Sequence, residues 1–250
     1  MNRVMQRMTG TGRLVGKTKR KYEGGGMPFI NPFITKGLGA SNDDDDSDED
    51  GGGGIKIPKL FGGMDSEDVY TTHNHIYFKT DVDEKSIDKL GRELDSLVHK
   101  IRNLEKKTAF GTFTPHPIFL HISTAGGSLF AGLLAYDKIK NSPYPVHTII
   151  EGSVASAGSL LSMAGSRRFI TPSSYLLIHQ LRSFVGGTFE NIVDEKKNCT
   201  ALMKRMINLY HENSNGVLSK RQIRELLKRD IFWSAEQSIE YGLVDEVYLG

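Results

Sequence analysis

A chain of 250 residues with 32 basic and 30 acidic side chains, net charge +2, and 38% hydrophobic content has the composition of a soluble protein with one sizeable core. No run of 18 or more apolar residues offers a membrane-spanning helix. A lone cysteine, Cys199, excludes an intrachain disulfide and fits a reducing compartment.

The near-neutral charge is an average over opposites. Residues 1–22 carry Arg3, Arg7, Arg13, Lys17, Lys19, Arg20 and Lys21 without an acid, whereas Asp43 to Asp50 holds seven acids in eight positions, followed by Gly51 to Gly54. Such blocks repel themselves and bury little apolar surface, so residues 1–66 are expected to form a disordered extension ahead of a folded domain at 67–250. The acid-free start also admits an organelle transit peptide, although it is poor in serine and alanine and has no amphipathic apolar face. A removable pro-segment and a nucleic-acid-binding arm are further alternatives. The extension lacks interleaved aromatics for base stacking and the domain lacks a basic stripe, so no nucleic acid is expected as a partner.

Beyond residue 75, short apolar runs alternate with helical repeats, the pattern of an α/β domain. His75 to Lys79 reads as a strand. Ile87, Leu90, Leu94, Leu97, Val98, Ile101 and Leu104 recur at spacings of three and four and predict a long amphipathic helix. A loop is expected over 105–117, then a strand at Ile118 to Ile122, a turn at Ser123 to Gly127, a helix from Leu129 to Lys140 and a strand from His147 to Ile150. The segment Gly152-Ser-Val-Ala-Ser-Ala-Gly-Ser159 forms the next turn and a helix ending near Gly165. Residues Gly165 to Arg168 read as a turn, and a strand from Tyr175 to Ile178 ends at His179. A helix is predicted from Thr188 to about His211, with Phe189, Ile192, Cys199, Met203, Met206 and Tyr210 on its apolar side and Cys199 as a small core residue. Ser219-Lys-Arg-Gln222 and Ser234-Ala-Glu-Gln237 have capping-box spacing and predict two shorter helices, through Lys228 and up to Gly242. Asp230 falls in the connection between them, able to point a carboxylate inward.

A serine hydroxyl is too weak an acid to attack an amide at neutral pH, so it needs a base to take its proton and a carboxylate to orient that base. Ser156, His179 and Asp230 supply those three groups. A serine among alanines and glycines is by itself a tight-packing residue, and a histidine or a helix-terminal aspartate is by itself a polar surface group. Only the three together point to chemistry. Val154 stands where the Gly-x-Ser-x-Gly elbow of α/β-hydrolases has its first glycine, which disfavours that fold. Asp245, in the terminal motif, reads as structural.

The chain order Ser, His, Asp, the Gly126-Gly127 turn, the Ala155-Ser-Ala-Gly158 segment, Ile178-His-Gln180 and Tyr241-Gly-Leu-Val-Asp245 resemble the ClpP family, the proteolytic subunits of the Clp protease, from about His75 to Leu249. The resemblance implies a ClpP/crotonase-like spiral of repeated βαβ units. It also implies a catalytic Ser156, His179 and Asp230, with an oxyanion hole formed by the backbone N–H groups of Gly127 and Ala157. It further implies endopeptidase action on unfolded polypeptide inside two stacked heptameric rings of identical or related subunits. An AAA+ unfoldase would feed these rings and hydrolyse the ATP, because this chain lacks a Gly-x-x-x-x-Gly-Lys-Ser/Thr loop. No metal or cofactor is implied, and the location is expected to be cytoplasmic. Three departures stand out. Ile122-Ser-Thr-Ala-Gly-Gly127 replaces the family's Asn-Ser-Pro-Gly-Gly, the serine and histidine are two residues closer than usual, and the 105–117 loop is longer. The rival readings are a crotonase-type acyl-CoA enzyme, a serine–lysine peptidase, for which no lysine lies beside the serine, and a non-catalytic ring subunit.

Overall fold

The computed structural model describes residues 68–107 and 116–250. The extension expected at 1–66 and most of the 105–117 loop lie outside them. The described residues form seven strands and six helices, alternating from Glu84 to Ile170. Strands β1 (Val69–Thr72) and β2 (His75–Phe78) form an antiparallel hairpin, and β2 then pairs in parallel with β3 (Ile118–Thr124). Parallel neighbours need crossovers, which here are helices: α1 (Glu84–Lys107) between β2 and β3, α2 (Leu129–Lys140) between β3 and β4 (Val146–Ala155), and α3 (Gly158–Met163) between β4 and β5 (Arg167–Ile170). The sheet order is β1-β2-β3-β4-β5-β7, with β7 at Glu246–Val247 and β6 (Tyr175–Leu177) pairing separately with β4. The remaining helices are α4 (Phe189–Asn213), α5 (Lys220–Leu226) and α6 (Ala235–Glu240). No described helix is long and apolar enough to cross a membrane.

Local chemistry accounts for the helix ends. Ser86 and Asp83 exchange side-chain-to-backbone bonds of 2.7 and 3.0 Å at the start of α1. Both expected capping boxes, Ser219 with Gln222 and Ser234 with Gln237, are present, and Thr188 with Asn191 forms a third at the start of α4. The apolar stripe of α1 packs as its spacing predicts, with Ile87, Leu90, Leu94, Leu97 and Val98 buried. The helix continues to Lys107, three residues into the expected loop.

Other expectations are corrected. Residues 167 and 168 are not turn but the start of β5, paired in register with His147 and Thr148 of β4. Their consecutive arginines mask the strand, because one is exposed while the other is buried against Asp245. The short β1 and β7 carry too few residues for a readable alternation. In α4 the stripe buries Met206 and Tyr210 but leaves Phe189 and Ile192 exposed. Cys199 is half-buried, its thiol donating to Glu195 Oε1 at 3.2 Å.

Strand β4 positions everything that follows. Its first half lies between β3 and β5, from the pair Val146 with Ile118 to the pair Ile150 with Ile122. The register with β3 then slips, so that Thr124 faces Val154, and Gly152 takes a φ of 67°, which glycine adopts without the penalty of a Cβ. The second half, Ser153 to Ala155, pairs in parallel with Tyr175 to Leu177 of β6.

The terminal motif closes the other side of the sheet. Asp245 Oδ2 accepts from the Arg168 backbone N–H at 2.8 Å and from its Nε at 3.1 Å, and Arg168 Nη1 donates to the Asn213 carbonyl. Burial pushes the Asp245 carboxyl up, but the Arg168 hydrogen bonds and charge outweigh it and hold the group below its usual range. The Arg168 side chain is only 6% exposed, whereas neighbouring Arg167 and its partner Glu246 are each about half exposed.

One face of the sheet carries a ladder of rings: His75 on Phe119, Tyr77 on His121, and Phe169 between His147 and Tyr248. A carboxylate only accepts, so the 2.7 Å contact of Glu151 Oε1 with His121 Nδ1 places a proton on that nitrogen. With His121 neutral, its Nε2 then accepts from His75 Nδ1 at 2.8 Å. Burial lowers the His75 pKa, helped by His121 and His73, and burial followed by the Arg167 charge lowers that of His147.

Two outcomes follow for stability. Asp245→Ala strands the buried Arg168 cation and is expected to cost about 3 kcal/mol in urea denaturation, whereas Glu246→Ala removes a solvated pair and should cost under about 1 kcal/mol. Because His75 and His147 hold their protons less tightly folded than unfolded, the unfolded chain takes up protons first as pH falls through the ordinary value of 6.5. The urea midpoint should therefore fall between about pH 7.5 and about pH 5.5, and fall less in a His75→Asn, His147→Asn double variant.

Candidate active site

The bend in β4 brings two predicted residues together. Ala155 pairs with Leu177, and the Ser156 N–H donates to the Leu177 carbonyl at 3.0 Å, so the parallel strands β4 and β6 finish side by side. Ser156 follows one and His179 the other. The backbone of Ser156 has φ 54°, a left-handed conformation that is uncommon for a residue with a side chain and that turns the chain sharply into α3. Both residues line a cleft of about 390 Å³ with Gly127, Ala157, Leu129, Leu181, Arg182 and Met206.

Gly127 reaches the cleft through a backbone clasp. Val82 N–H donates to the Gly126 carbonyl at 2.8 Å and the Ser128 N–H to the Val82 carbonyl at 2.7 Å. A Cβ on Gly127 would lie 2.3 Å from the Val82 carbonyl oxygen, and its φ is 148°, so only glycine fits. Among the described residues, neither the Gly127 N–H nor the Ala157 N–H has a protein acceptor, although both border the cleft.

The strained serine turn is held from below by residues the sequence reading did not single out. Ser159 Oγ donates to the Ser156 carbonyl at 2.6 Å and lies 2.7 Å from the Tyr210 hydroxyl. The Ser159 proton is committed to the carbonyl, so Tyr210 is the donor in the second bond. Burial pushes the Tyr210 phenol up to about 12, so it remains a neutral donor at physiological pH. The available signal was a tyrosine within the apolar stripe of α4, since a buried phenol needs a partner.

Asp230 is near but not joined. The segment carrying it runs along the β6 exit: Trp233 and Leu176 exchange bonds of 3.0 and 2.8 Å, and the Gln180 N–H donates to the Leu227 carbonyl at 2.7 Å. These anchors hold the segment that carries Asp230 against the β6 exit at both of its ends, Leu227 and Trp233. The Asp230 carboxylate, however, faces out to pair with Arg182, rather than inward as the sequence predicts. His179 Nδ1 instead contacts the Gln180 carbonyl at 2.6 Å. Among the described residues, no hydrogen bond links Ser156 to His179 or His179 to Asp230.

Residues 73–249 match the sequence profile of the Clp protease family. The ATP-dependent Clp protease proteolytic subunit of Deinococcus radiodurans is 33% identical over 132 residues, which cover 52% of this chain and 64% of that protein, a little under two thirds of its length. The ATP-dependent Clp protease proteolytic subunit 1 of Chlamydia muridarum is 36% identical over 137 residues, covering 52% and 69%. A solved ClpP1 mutant from Listeria monocytogenes superposes with a TM-score of 0.60 at 23% identity, over 71% of this chain and 92% of that one, a likeness of fold. With the profile matched over most of the chain, on an open α/β sheet of the same fold, this chain belongs to the Clp protease family.

Proposed function

We propose that this chain is a serine endopeptidase subunit that hydrolyses unfolded polypeptide through an acyl-enzyme. The observation that carries this reading is the shared cleft, in which Ser156 and His179 end neighbouring parallel strands beside two backbone N–H groups without protein acceptors. In this reading His179 takes the Ser156 proton as Oγ attacks the scissile carbonyl. The Gly127 and Ala157 N–H groups meet the developing oxyanion, each such donor being worth about 2.7–4 kcal/mol. Asp230, turned to His179 Nδ1, holds the ring and stabilises the imidazolium. The protonated His179 then delivers its proton to the leaving amine, and water repeats the sequence on the acyl-enzyme.

The curated relatives are named as proteolytic subunits of an ATP-dependent protease, and membership of their family supports the remaining proposals. These are assembly into two stacked heptameric rings, feeding by an AAA+ unfoldase that hydrolyses the ATP, and action in the cytoplasm without a metal or cofactor. A second reading, a non-catalytic ring subunit, is favoured by one observation: the Asp230 carboxylate lies on Arg182 and not on His179.

Labelling with a fluorophosphonate separates the two, because only an activated serine reacts quickly. The peptidase reading expects labelling of Ser156 and cleavage of short peptide reporters. Ser156→Ala should abolish labelling and lower turnover by about 10⁶-fold. His179→Ala should fall nearly as far, and the double variant no further, since nucleophile and base act as one unit. An unlabelled, inactive assembly would establish the structural role instead.

A further inference from the structure

Among the residues lining the cleft, one permanent charge has no part in the chemistry above: the guanidinium of Arg182. Leu129, Leu181 and Met206 give the same cleft an apolar part, and Ser128 and Gln180 add neutral polar side chains, so no other permanent charge lines it. Its partner, the Asp230 carboxylate, does not line the cleft, and both side chains are roughly half exposed, 57% for Arg182 and 47% for Asp230. An ion pair this solvated contributes no more than about a fivefold bias in its equilibrium, so it exchanges readily.

We infer that Arg182 reads a carboxylate on the substrate, and that the same carboxylate releases Asp230 to His179. The inference rests on the peptidase reading of this cleft. A guanidinium presents a planar fork of donors suited to a carboxylate, and a substrate acid near the scissile bond competes with Asp230 for it. Once displaced, Asp230 sits on a segment that the Leu227–Gln180 and Trp233–Leu176 backbone bonds already tie to the strand end that His179 follows. His179 Nδ1 then exchanges a neutral acceptor, the Gln180 carbonyl, for an anionic one as the imidazolium develops. With an acidic substrate, every charge keeps a partner throughout. A neutral substrate obliges Asp230 either to leave Arg182 unpaired or to stay away from His179. The favoured substrate class is therefore a polypeptide with an aspartate or glutamate beside the cleavage point and an apolar residue next to it.

The test uses two fluorogenic peptides identical except for Glu or Gln adjacent to the scissile bond, with the assembled full-length protein. The Glu peptide should be cleaved with a kcat/KM about fivefold above that of the Gln peptide. Arg182→Gln should bring the ratio to about one and raise the rate on the Gln peptide, because Asp230 is no longer held away; Arg182→Lys should retain part of the preference. A ratio near one in the wild type, or a preference that survives in Arg182→Gln, would overturn the inference. A second arm measures binding of both peptides to Ser156→Ala, with and without Arg182→Gln, and does not depend on turnover. Loss of the Glu preference only with Arg182→Gln supports the inference, and no preference in either background refutes it. Failure of fluorophosphonate labelling counts separately, against the peptidase reading alone.

Discussion

The structure depends on one strand serving two partners. Straight, β4 would carry its whole length between β3 and β5 and end with no neighbour for the serine turn. The register slip after Ile122 and the left-handed Gly152 redirect its last residues to β6. Because that pairing is parallel, both strands run out at the same edge, where connecting turns can carry chemistry on a rigid base. The cleft is thus set by backbone hydrogen bonds, and the side chains within it inherit their placement.

Within that frame the groups differ in how firmly they are fixed. The serine turn is clamped on three sides: by Leu177 through its N–H, by Ser159 through its carbonyl and, behind Ser159, by the fully buried Tyr210. The Val82 clasp fixes Gly127 equally well. The Asp230 segment is anchored at Leu227 and Trp233, while its carboxylate is about half exposed and paired with Arg182. If the proposed peptidase roles hold, the serine turn and the two N–H groups are preorganised, and alignment of the Asp230 carboxylate, rather than assembly of the pocket, is the step left to be controlled.

How much could be read from the sequence follows the range of the interactions involved. Capping boxes at Ser219 and Ser234 and the stripe of α1 are local, and the structure has them where spacing placed them. His179 was legible because it caps an apolar strand, and Ser156 because small neighbours flank it in a family-like segment. Three other features depend on partners far along the chain, which local sequence does not identify. The pairing of β5 with β7 joins residues on either side of α4 to α6. The outward turn of Asp230 is decided by Arg182, 48 positions away. The Tyr210 support was hidden because a tyrosine in an apolar stripe reads as packing until Ser159, 51 positions away, is seen against its hydroxyl.

The Arg168–Asp245 contact sets an order of events during synthesis. Asp245 is 77 positions beyond the arginine, so at roughly 5–20 residues per second the nascent chain carries an unanswered cation for about 4–15 s. Until Asp245 emerges, burying that guanidinium against β4 and α4 would leave its charge uncompensated, which holds this part of the sheet open. The edge beside β5 therefore closes late, after α4, α5 and α6 have been made. A chaperone acting on the unfinished chain would find the serine turn already encoded and its sheet still unlocked.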